Sequence, residues 1–291
     1  MTAMPETTGT IYDIGYRHYD GPRLGRRGAI GAIVGAGLRA VFGFGRSGRS
    51  KIIPWGAVIL AALPAVVAVA VRVLAGDILD LYDYDGYVWN IGALLPIFIA
   101  AQAPELVVND IRHRVLPLYF SRPIRRIDYV AAKIAALAIG LLAITLAPVL
   151  LLFIGRVLST DDLVAAVGEE IGAMPEIIGN GVIHAVVLAS IGLAICSLAG
   201  RRAYAAGAVL AVFLIGGVIS DSFSENGQDV AAFVSPLAVL DGTRQWLFGG
   251  AVDGAPAATS ELPLALYGLA ALILVLVSWA VLAVRYRRLT A

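Results

Sequence analysis

Long runs of apolar residues alternate with shorter polar segments over most of the chain. A helix needs about 20 apolar residues to cross a hydrocarbon layer of roughly 30 Å. Six runs meet this requirement, and they cover residues 52–75, 87–108, 134–155, 177–199, 203–220 and 262–284. The pattern predicts an all-α integral membrane protein with six transmembrane helices.

A further apolar run, residues 28–45, is a candidate for a seventh span. A crossing there would bury Arg39, which costs about 2.5–3.5 kcal/mol at a helix centre. We therefore expect an N-terminal interfacial helix along the inner leaflet, with its ends anchored in anionic headgroups by Arg26, Arg27, Arg46, Arg49 and Lys51. Its glycines disfavour a helix in water, so we expect contact with lipid to order it.

Two more elements are predicted between the spans. Ser159 is followed by an acid three residues later, and apolar residues then recur every four positions, which predicts a capped amphipathic helix over residues 159–170. Residues 233–248 are too apolar for a solvated linker, so we expect a re-entrant or surface-lying hairpin folded back onto the bundle.

The composition agrees with a membrane protein. Hydrophobic residues make up 59% of the 291 positions and charged residues 15%. A soluble domain is usually about half apolar and about a quarter charged. The net charge of +1 gives no reason to expect nucleic acid as a partner.

The distribution of cations predicts the orientation, because cytoplasmic loops carry an excess of Lys and Arg. With the N-terminus inside, 19 of the 22 basic residues are cytoplasmic, and 15 of the 21 acids lie outside. Residues 1–51 then form a cytoplasmic segment that contains the interfacial helix. Residues 52–291 form the six-span transmembrane domain, and the C-terminus is also cytoplasmic.

Sequence motifs for catalysis or nucleotide binding are weak in this chain. Residues 43–48, GFGRSG, match a dinucleotide-binding pattern, but the strand that this motif requires does not precede them. The same residues contain G-x-S-G, yet Ser47 lies among basic residues without the histidine base that a serine nucleophile needs. Neither lysine stands at the P-loop position for binding ATP. We expect no catalytic, cofactor or metal site in this chain.

Ionisable residues are scarce within the predicted spans. Arg72 and Glu105 lie near span ends, and we expect Arg72 to extend outward and Glu105 inward. His184 has Asn180 one turn before it, which favours a buried, hydrogen-bonded histidine over a proton or metal site. The absence of a central carboxylate argues against a proton-coupled carrier. Prolines within spans one to three fit either a kinked translocation path or ordinary packing, and they are Pro64, Pro96, Pro104 and Pro148.

The connection between spans two and three, residues 109–133, is basic and contains two prolines. Pro117 and Pro123 disfavour a helical conformation of the residue before each of them. They leave room for one short helix or turn that displays Leu118, Tyr119 and Phe120 beside Arg112, Arg114, Arg122, Arg125 and Arg126. Such a patch suits a docking element for another protein. A basic loop resting on lipid is an equally good interpretation of these residues alone.

This connection resembles the intracellular loop of ABC-2 type transporter permeases. The shared features are an acid near the end of span two, L-P-L, S-R-P, a basic pair, and D-Y and K before span three. Residues 11–27, IYDIGYRHYDGPRLGRR, and the stretch FGFGRSGRSKIIPW before span one resemble bacterial, particularly actinobacterial, members. The resemblance covers essentially the whole chain. It implies an ABC-2 permease fold like that of type V exporters, in the bacterial cytoplasmic membrane.

In that family the loop carries a coupling helix that fits a cleft on a separate ATP-binding subunit. The resemblance therefore implies coupling contacts at Arg112, His113, Leu116, Pro117, Leu118, Tyr119 and Arg122, and a second contact at Arg201 and Arg202. It also implies two ATP-binding subunits, which hold ATP and Mg, and two permease subunits, expected as a homodimer surrounded by membrane lipid. The chain itself would then not be an enzyme.

The leading hypothesis is the membrane subunit of an ABC exporter that moves a lipophilic or amphipathic compound outward. A stand-alone six-span carrier or channel is a second class, and the missing central carboxylates count against it. A membrane scaffold that binds an ATPase without transporting a solute is a third.

Overall fold

The computed structural model describes residues 21, 25–75, 82–160, 163–224, 226–249 and 260–289. Every regular element in these ranges is helical. We number the α-helices α1 Gly25–Val41, α2 Arg49–Ala75, α3 Tyr84–Asn90, α4 Leu94–Arg112, α5 Leu116–Phe120, α6 Arg126–Leu158, α7 Leu163–Glu170, α8 Met174–Leu198, α9 Arg202–Leu210, α10 Gly216–Ser224, α11 Pro236–Phe248 and α12 Ala265–Leu289. The N-terminal part of the family resemblance, before residue 21, lies outside the described residues.

Six helical stretches of the described residues are long and apolar enough to cross a membrane. They are Arg49–Leu74, Leu94–Arg112, Arg126–Leu158, Leu163–Leu198, Arg202–Ser224 and Ala265–Arg288. A 3₁₀ turn, Ile171–Ala173, joins α7 to α8, and a π-helical turn, Ala211–Ile215, joins α9 to α10. The six predicted spans are therefore confirmed by length and composition, and the chain is a multi-pass membrane protein.

The second span begins later than predicted. Residues 87–90 belong to the separate helix α3, and the chain turns at Gly92, whose amide donates to the Trp89 carbonyl at 2.9 Å. The side chain of Tyr87 provides the physical reason. Its hydroxyl donates to the carbonyl of Ala61 and accepts from the amide of Ala65 at 3.1 Å. A side chain inserted between these two groups of α2 replaces a bond of the helical ladder, so α3 is fastened to α2 instead of continuing into α4.

The predicted helix cap at Ser159 is wrong. Helix α6 has 33 residues, about 50 Å at a rise of about 1.5 Å per residue, and Ser159 ends it. The hydroxyl of Ser159 donates to the carbonyl of Arg156 at 2.9 Å and accepts from Nε of Arg72 at 3.0 Å. These two hydrogen bonds hold the Ser159 side chain at the C-terminal end of α6, so it does not cap the following helix. The amphipathic helix itself exists, but as α7, which begins at Leu163.

Helix α1 packs against α4 and α6, so packing within the chain orders part of its surface. Gly37 makes the close approach to α6 possible, because a Cβ atom there would lie 2.6 Å from Cβ of Ala136. Two of the expected lipid anchors bind carboxylates. Arg26 pairs with Asp128 at 2.6 Å, and Arg46 pairs with Glu105 at 2.7 Å. The two side chains are still 46% and 41% exposed, so their contact with lipid headgroups stays a prediction.

Residues 233–248 fold back onto the bundle, as predicted. A 3₁₀ turn, Asp229–Val234, leads into α11, and α11 packs against α8 and α12. Glycines permit this contact, since a Cβ atom at Gly242 would lie 2.3 Å from the ring of Tyr267. The inner face of α11 carries polar groups, which include the buried pair Asp241 and Arg244 at 3.2 Å.

Candidate functional site

The connector, which we define as residues 113–125 between α4 and α6, begins with an abrupt helix stop. The amide of Arg114 donates to the carbonyl of Ile111 at 3.2 Å, and the amide of Val115 donates to the carbonyl of Asp110 at 3.1 Å. These two bonds form the Schellman pattern that ends many helices. Arg114 occupies its left-handed position with a φ of 52°, where glycine is usual. The chain direction is therefore set within residues 113–115, at the start of the connector.

The connector then forms the five-residue helix α5. Pro117 stands in its first turn, where a missing amide donor costs nothing. The hydroxyl of Ser121 donates to the carbonyl of Leu118 at 2.9 Å and closes the helix. Arg125 is extended and caps α6, and its amide donates to Oδ2 of Asp128 at 2.9 Å. The predicted short helix is confirmed, but it begins at Leu116, so Pro117 lies inside its first turn and does not precede it.

One side of α5 is fixed to the bundle. Leu116 is 3% exposed, and the rings of Tyr119 and Phe120 lie 5.4 and 6.0 Å from that of Tyr129. The ring of Tyr129 in turn contacts Tyr286 of α12 at 5.2 Å. Burial raises the pKa of Tyr119, so its hydroxyl stays neutral at physiological pH.

A partly buried ion pair lies beneath this aromatic group. Asp110 accepts from Nζ of Lys133 at 2.7 Å and from the hydroxyl of Tyr129 at 2.6 Å. The Lys133 ammonium also lies 5.4 Å from the centre of the Tyr129 ring. The groups that support α5 are thus hydrogen-bonded as well as packed, which favours a single position of the helix.

The other side of α5 faces away from the bundle. Leu118 is 70% exposed, and it lies outside the membrane-spanning helices. The predicted site residues that are exposed with it are Arg112, His113, Pro117 and Arg122. Leu116 faces the chain's own core and anchors α5, and Tyr119 is half-buried between the two sides. The structure therefore divides the predicted contacts into a supporting set and an exposed set.

The second predicted contact, at Arg201 and Arg202, lies beside the end of α4. Nε of Arg202 donates to Oδ1 of Asn109 at 2.7 Å, and Nη1 lies 2.6 Å from Oε1 of Glu105. Arg201 is exposed, with its guanidinium 6.0 Å from the ring of Tyr204. The structure thus brings the start of α9 to the same end of the bundle as the connector. We call this end, which carries Arg26, Arg46, Arg122, Arg202 and Arg287, the arginine-rich end.

The sequence analysis did not recognise that Glu105 connects separate elements of the fold. Glu105 extends toward the arginine-rich end, where it accepts from Nη1 of Arg46 at 2.7 Å and from Nη2 of Arg202 at 2.6 Å. Asn109, one turn later, donates to the same carboxylate at 3.2 Å. The four-residue spacing of Glu105 and Asn109, which places both on one face of a helix, was the sequence signal that could have indicated this polar site. Glu105 joins the α1–α2 connection, α4 and α9.

A second carboxylate fixes α1 to the first turn of α6. Arg26 donates to Asp128 through Nε at 2.8 Å and through Nη2 at 2.6 Å, which is the two-pronged geometry that suits a guanidinium. This hydrogen bond raises the pKa of Arg26. Between α1 and the connector lies a groove of about 420 Å³ lined by Ala29, Ala32, Ile33, Ala36, Asp110, Val115, Leu118, Tyr119, Arg122 and Ile124.

His184 lies away from this end. It is 6% exposed, and its Nδ1 lies 3.0 Å from the backbone carbonyl of Asn180. The predicted hydrogen-bonded histidine is thus confirmed, with the backbone of Asn180 as its partner. Among the described residues, His, Cys, Asp and Glu side chains form no group of three or more that could hold a metal ion.

We expect replacement of Glu105 with Gln to loosen the arginine-rich end. The neutral amide loses the charge that holds Arg46 and Arg202, and partly exposed ion pairs contribute up to about 1 kcal/mol each. Backbone amides of residues 42–48 should exchange hydrogen about fivefold faster by mass spectrometry. Glu169→Gln, at an exposed position of α7, should leave this exchange unchanged. Equal exchange in the Glu105 variant and the native chain would show that the carboxylate does not hold this segment.

Comparisons of the chain with models of known protein families and with curated proteins found no match. The functional interpretation therefore depends on the connector, on the groups that support it, and on the arrangement of the six spans.

Proposed function

We propose that this chain is the membrane-spanning permease subunit of an ATP-driven ABC exporter with an ABC-2 fold. The observation that carries the proposal is the exposed side of α5, where Leu118 stands among cationic side chains on a rigid support. Interface centres combine apolar side chains with Arg, and the exposed side of α5 offers this combination outside the spans. The resemblance of the connector to the coupling loop of these permeases supports the same conclusion.

The support beneath α5 suits an element that transmits force. A push on α5 reaches α6 through Tyr119 and Phe120, whose rings contact that of Tyr129 in tilted and edge-on geometry, and reaches α12 through Tyr286. It reaches α4 through the bond between Tyr129 and Asp110. Close packing of these groups leaves little room for α5 to move alone. Closure of a partner ATPase would therefore displace three spans together.

In this proposal the chemistry is supplied by other chains. Two ATP-binding subunits hold ATP and Mg and dock on the connectors of two permease subunits, arranged as a homodimer in the bacterial cytoplasmic membrane with both termini inside. A two-fold axis would present identical connectors to the two ATPases. The exported compound would be lipophilic or amphipathic and would pass between the permeases.

Extraction of the tagged chain from its native membrane in a mild detergent tests the proposal. We expect an ATP-binding subunit to co-purify at a ratio near one to one, with measurable ATP hydrolysis. Arg122→Glu should weaken this association, because it reverses the charge beside Leu118. Arg288→Glu reverses an exposed charge at the same end and serves as the matched control. A chain that is isolated alone and without linked hydrolysis would favour the carrier or channel. An ATPase bound without ATP-driven solute movement in proteoliposomes would favour the scaffold.

A further inference from the structure

A second groove lies at the arginine-rich end, away from the connector and between α6 and α12. Its volume is about 310 Å³, and it is lined by Arg126, Ile127, Val130, Trp279, Ala280, Ala283 and Arg287. The two helices run in opposite directions here, since α6 begins at this end and α12 finishes there. Where the helices touch, the buried rings of Tyr129 and Tyr286 lie 5.2 Å apart.

The lining residues change from basic at one end of the groove to apolar along the rest of it. Trp279, Ala283 and Arg287 recur every four residues and share one face of α12, as helical periodicity requires. Arg287 is therefore about 12 Å along the axis from Trp279, at a rise of about 1.5 Å per residue. Arg126 is at the first position of α6, and Val130 follows one turn later. Both arginines thus stand at the end of the groove, and the apolar residues extend from there toward the middle of the spans.

We propose that this groove binds an anionic phospholipid, with its phosphate between Arg126 and Arg287 and an acyl chain along the apolar wall. Guanidinium groups bind phosphate oxygens in pairs, and basic pockets between spans are known sites for anionic headgroups. The lining residues include two arginines and no acid, so the charge of the groove complements a phosphate. A zwitterionic lipid adds an ammonium group, which these arginines repel.

Native mass spectrometry of the purified full chain tests this site. The chain is titrated with phosphatidylglycerol and, separately, with phosphatidylcholine of the same acyl chains. We expect the anionic lipid to bind in preference, and inorganic phosphate at millimolar concentration not to displace it. Arg126→Gln and Arg287→Gln should each weaken binding about fivefold, and together about 25-fold. Arg288→Gln removes the next cation on α12, which lines a different groove, and should have no such effect.

Photocrosslinking adds a test on the native chain. A phosphatidylglycerol with a diazirine on its acyl chain should label peptides that contain Val130 and Ala283 in preference to peptides from α2. Equal binding of both lipids, an unchanged double variant, or an equal loss in Arg288→Gln would overturn the site, as would labelling spread evenly over the spans. The proposal would then reduce to a diffuse attraction of lipid to basic side chains. No result here depends on a partner ATPase, so the site and the proposed function are tested separately.

Discussion

Replacing Asp241 with Ala is expected to destabilise the protein by about 3–5 kcal/mol, because it removes one partner of a buried ion pair. The side chains of Asp241 and Arg244 are 3% and 2% exposed. Oδ1 of Asp241 accepts from Arg244 at 3.2 Å, and Oδ2 accepts from Nε2 of Gln245 at 2.8 Å. Without the carboxylate, a guanidinium stays in a dry environment with its charge no longer balanced by Asp241. The free energy of unfolding in detergent, followed by denaturant titration, measures the effect.

Two further variants separate charge from packing. In Asp241→Leu with Arg244→Met, both charges are replaced by apolar groups, and this exchange at buried pairs is often neutral. We expect the double variant to recover most of the lost stability. Glu169→Ala, which removes an exposed carboxylate from α7, should change it by less than about 0.5 kcal/mol. A loss below about 1 kcal/mol in Asp241→Ala would show that the pair is better solvated than its burial indicates.

Arg244 also has a role at the end of α11. Its Nη1 donates to the carbonyl of Gly249, beyond the last turn, at 3.3 Å. A cation at this position satisfies a free carbonyl and interacts favourably with the helix dipole. Hydrogen exchange should therefore increase first near Gly249 when the position of Arg244 is disturbed. The ion pair thus connects the stability of the packed helix α11 to its C-terminal end.

Replacing Leu118 with Asp is expected to weaken binding of the ATP-binding subunit by roughly thirtyfold or more. Exposed apolar residues at the centre of an interface contribute about 2 kcal/mol or more when they are hot spots, and each 1.4 kcal/mol corresponds to about tenfold in affinity. The side chain is 70% exposed, so the isolated chain loses little when it is replaced. Titration of the detergent-solubilised chain with its partner, together with ATP-driven transport in proteoliposomes, measures the two consequences.

The control for Leu118 lies at the opposite end of α6. Val164→Asp changes an apolar residue of α7 that is 84% exposed, and it should leave partner binding intact. This prediction depends on the proposed function. If Leu118→Asp kept full affinity while the unmodified chain still bound an ATPase, the docking surface would lie elsewhere. If the unmodified chain bound no ATPase, the proposed function itself would be wrong.

The sequence alone was sufficient for the number of spans. Hydropathy is a property of each segment, so the segments long and apolar enough to cross a bilayer can be recognised before their partners in the fold are known. The existence of α5 was also predictable, since Pro123 limits helix formation after it, although Pro117 proved to lie inside the helix. The exposure of Leu118 could be suspected from the same pattern. That Leu116 faces the bundle could not be predicted, because the orientation of α5 depends on its contacts with α6.

Tertiary structure decided the positions of the charged residues. Glu105 meets Arg46, which is 59 positions earlier, and Arg202, which is 97 positions later. Hydrophobic periodicity contains no information on such pairs, since each charge alone is equally compatible with lipid headgroups, water or a distant carboxylate. The interruption near Gly92 likewise depends on the hydroxyl of Tyr87 reaching the backbone of α2. The sequence by itself thus determined which segments can enter the membrane, and only the folded chain determined which polar groups hold those segments together.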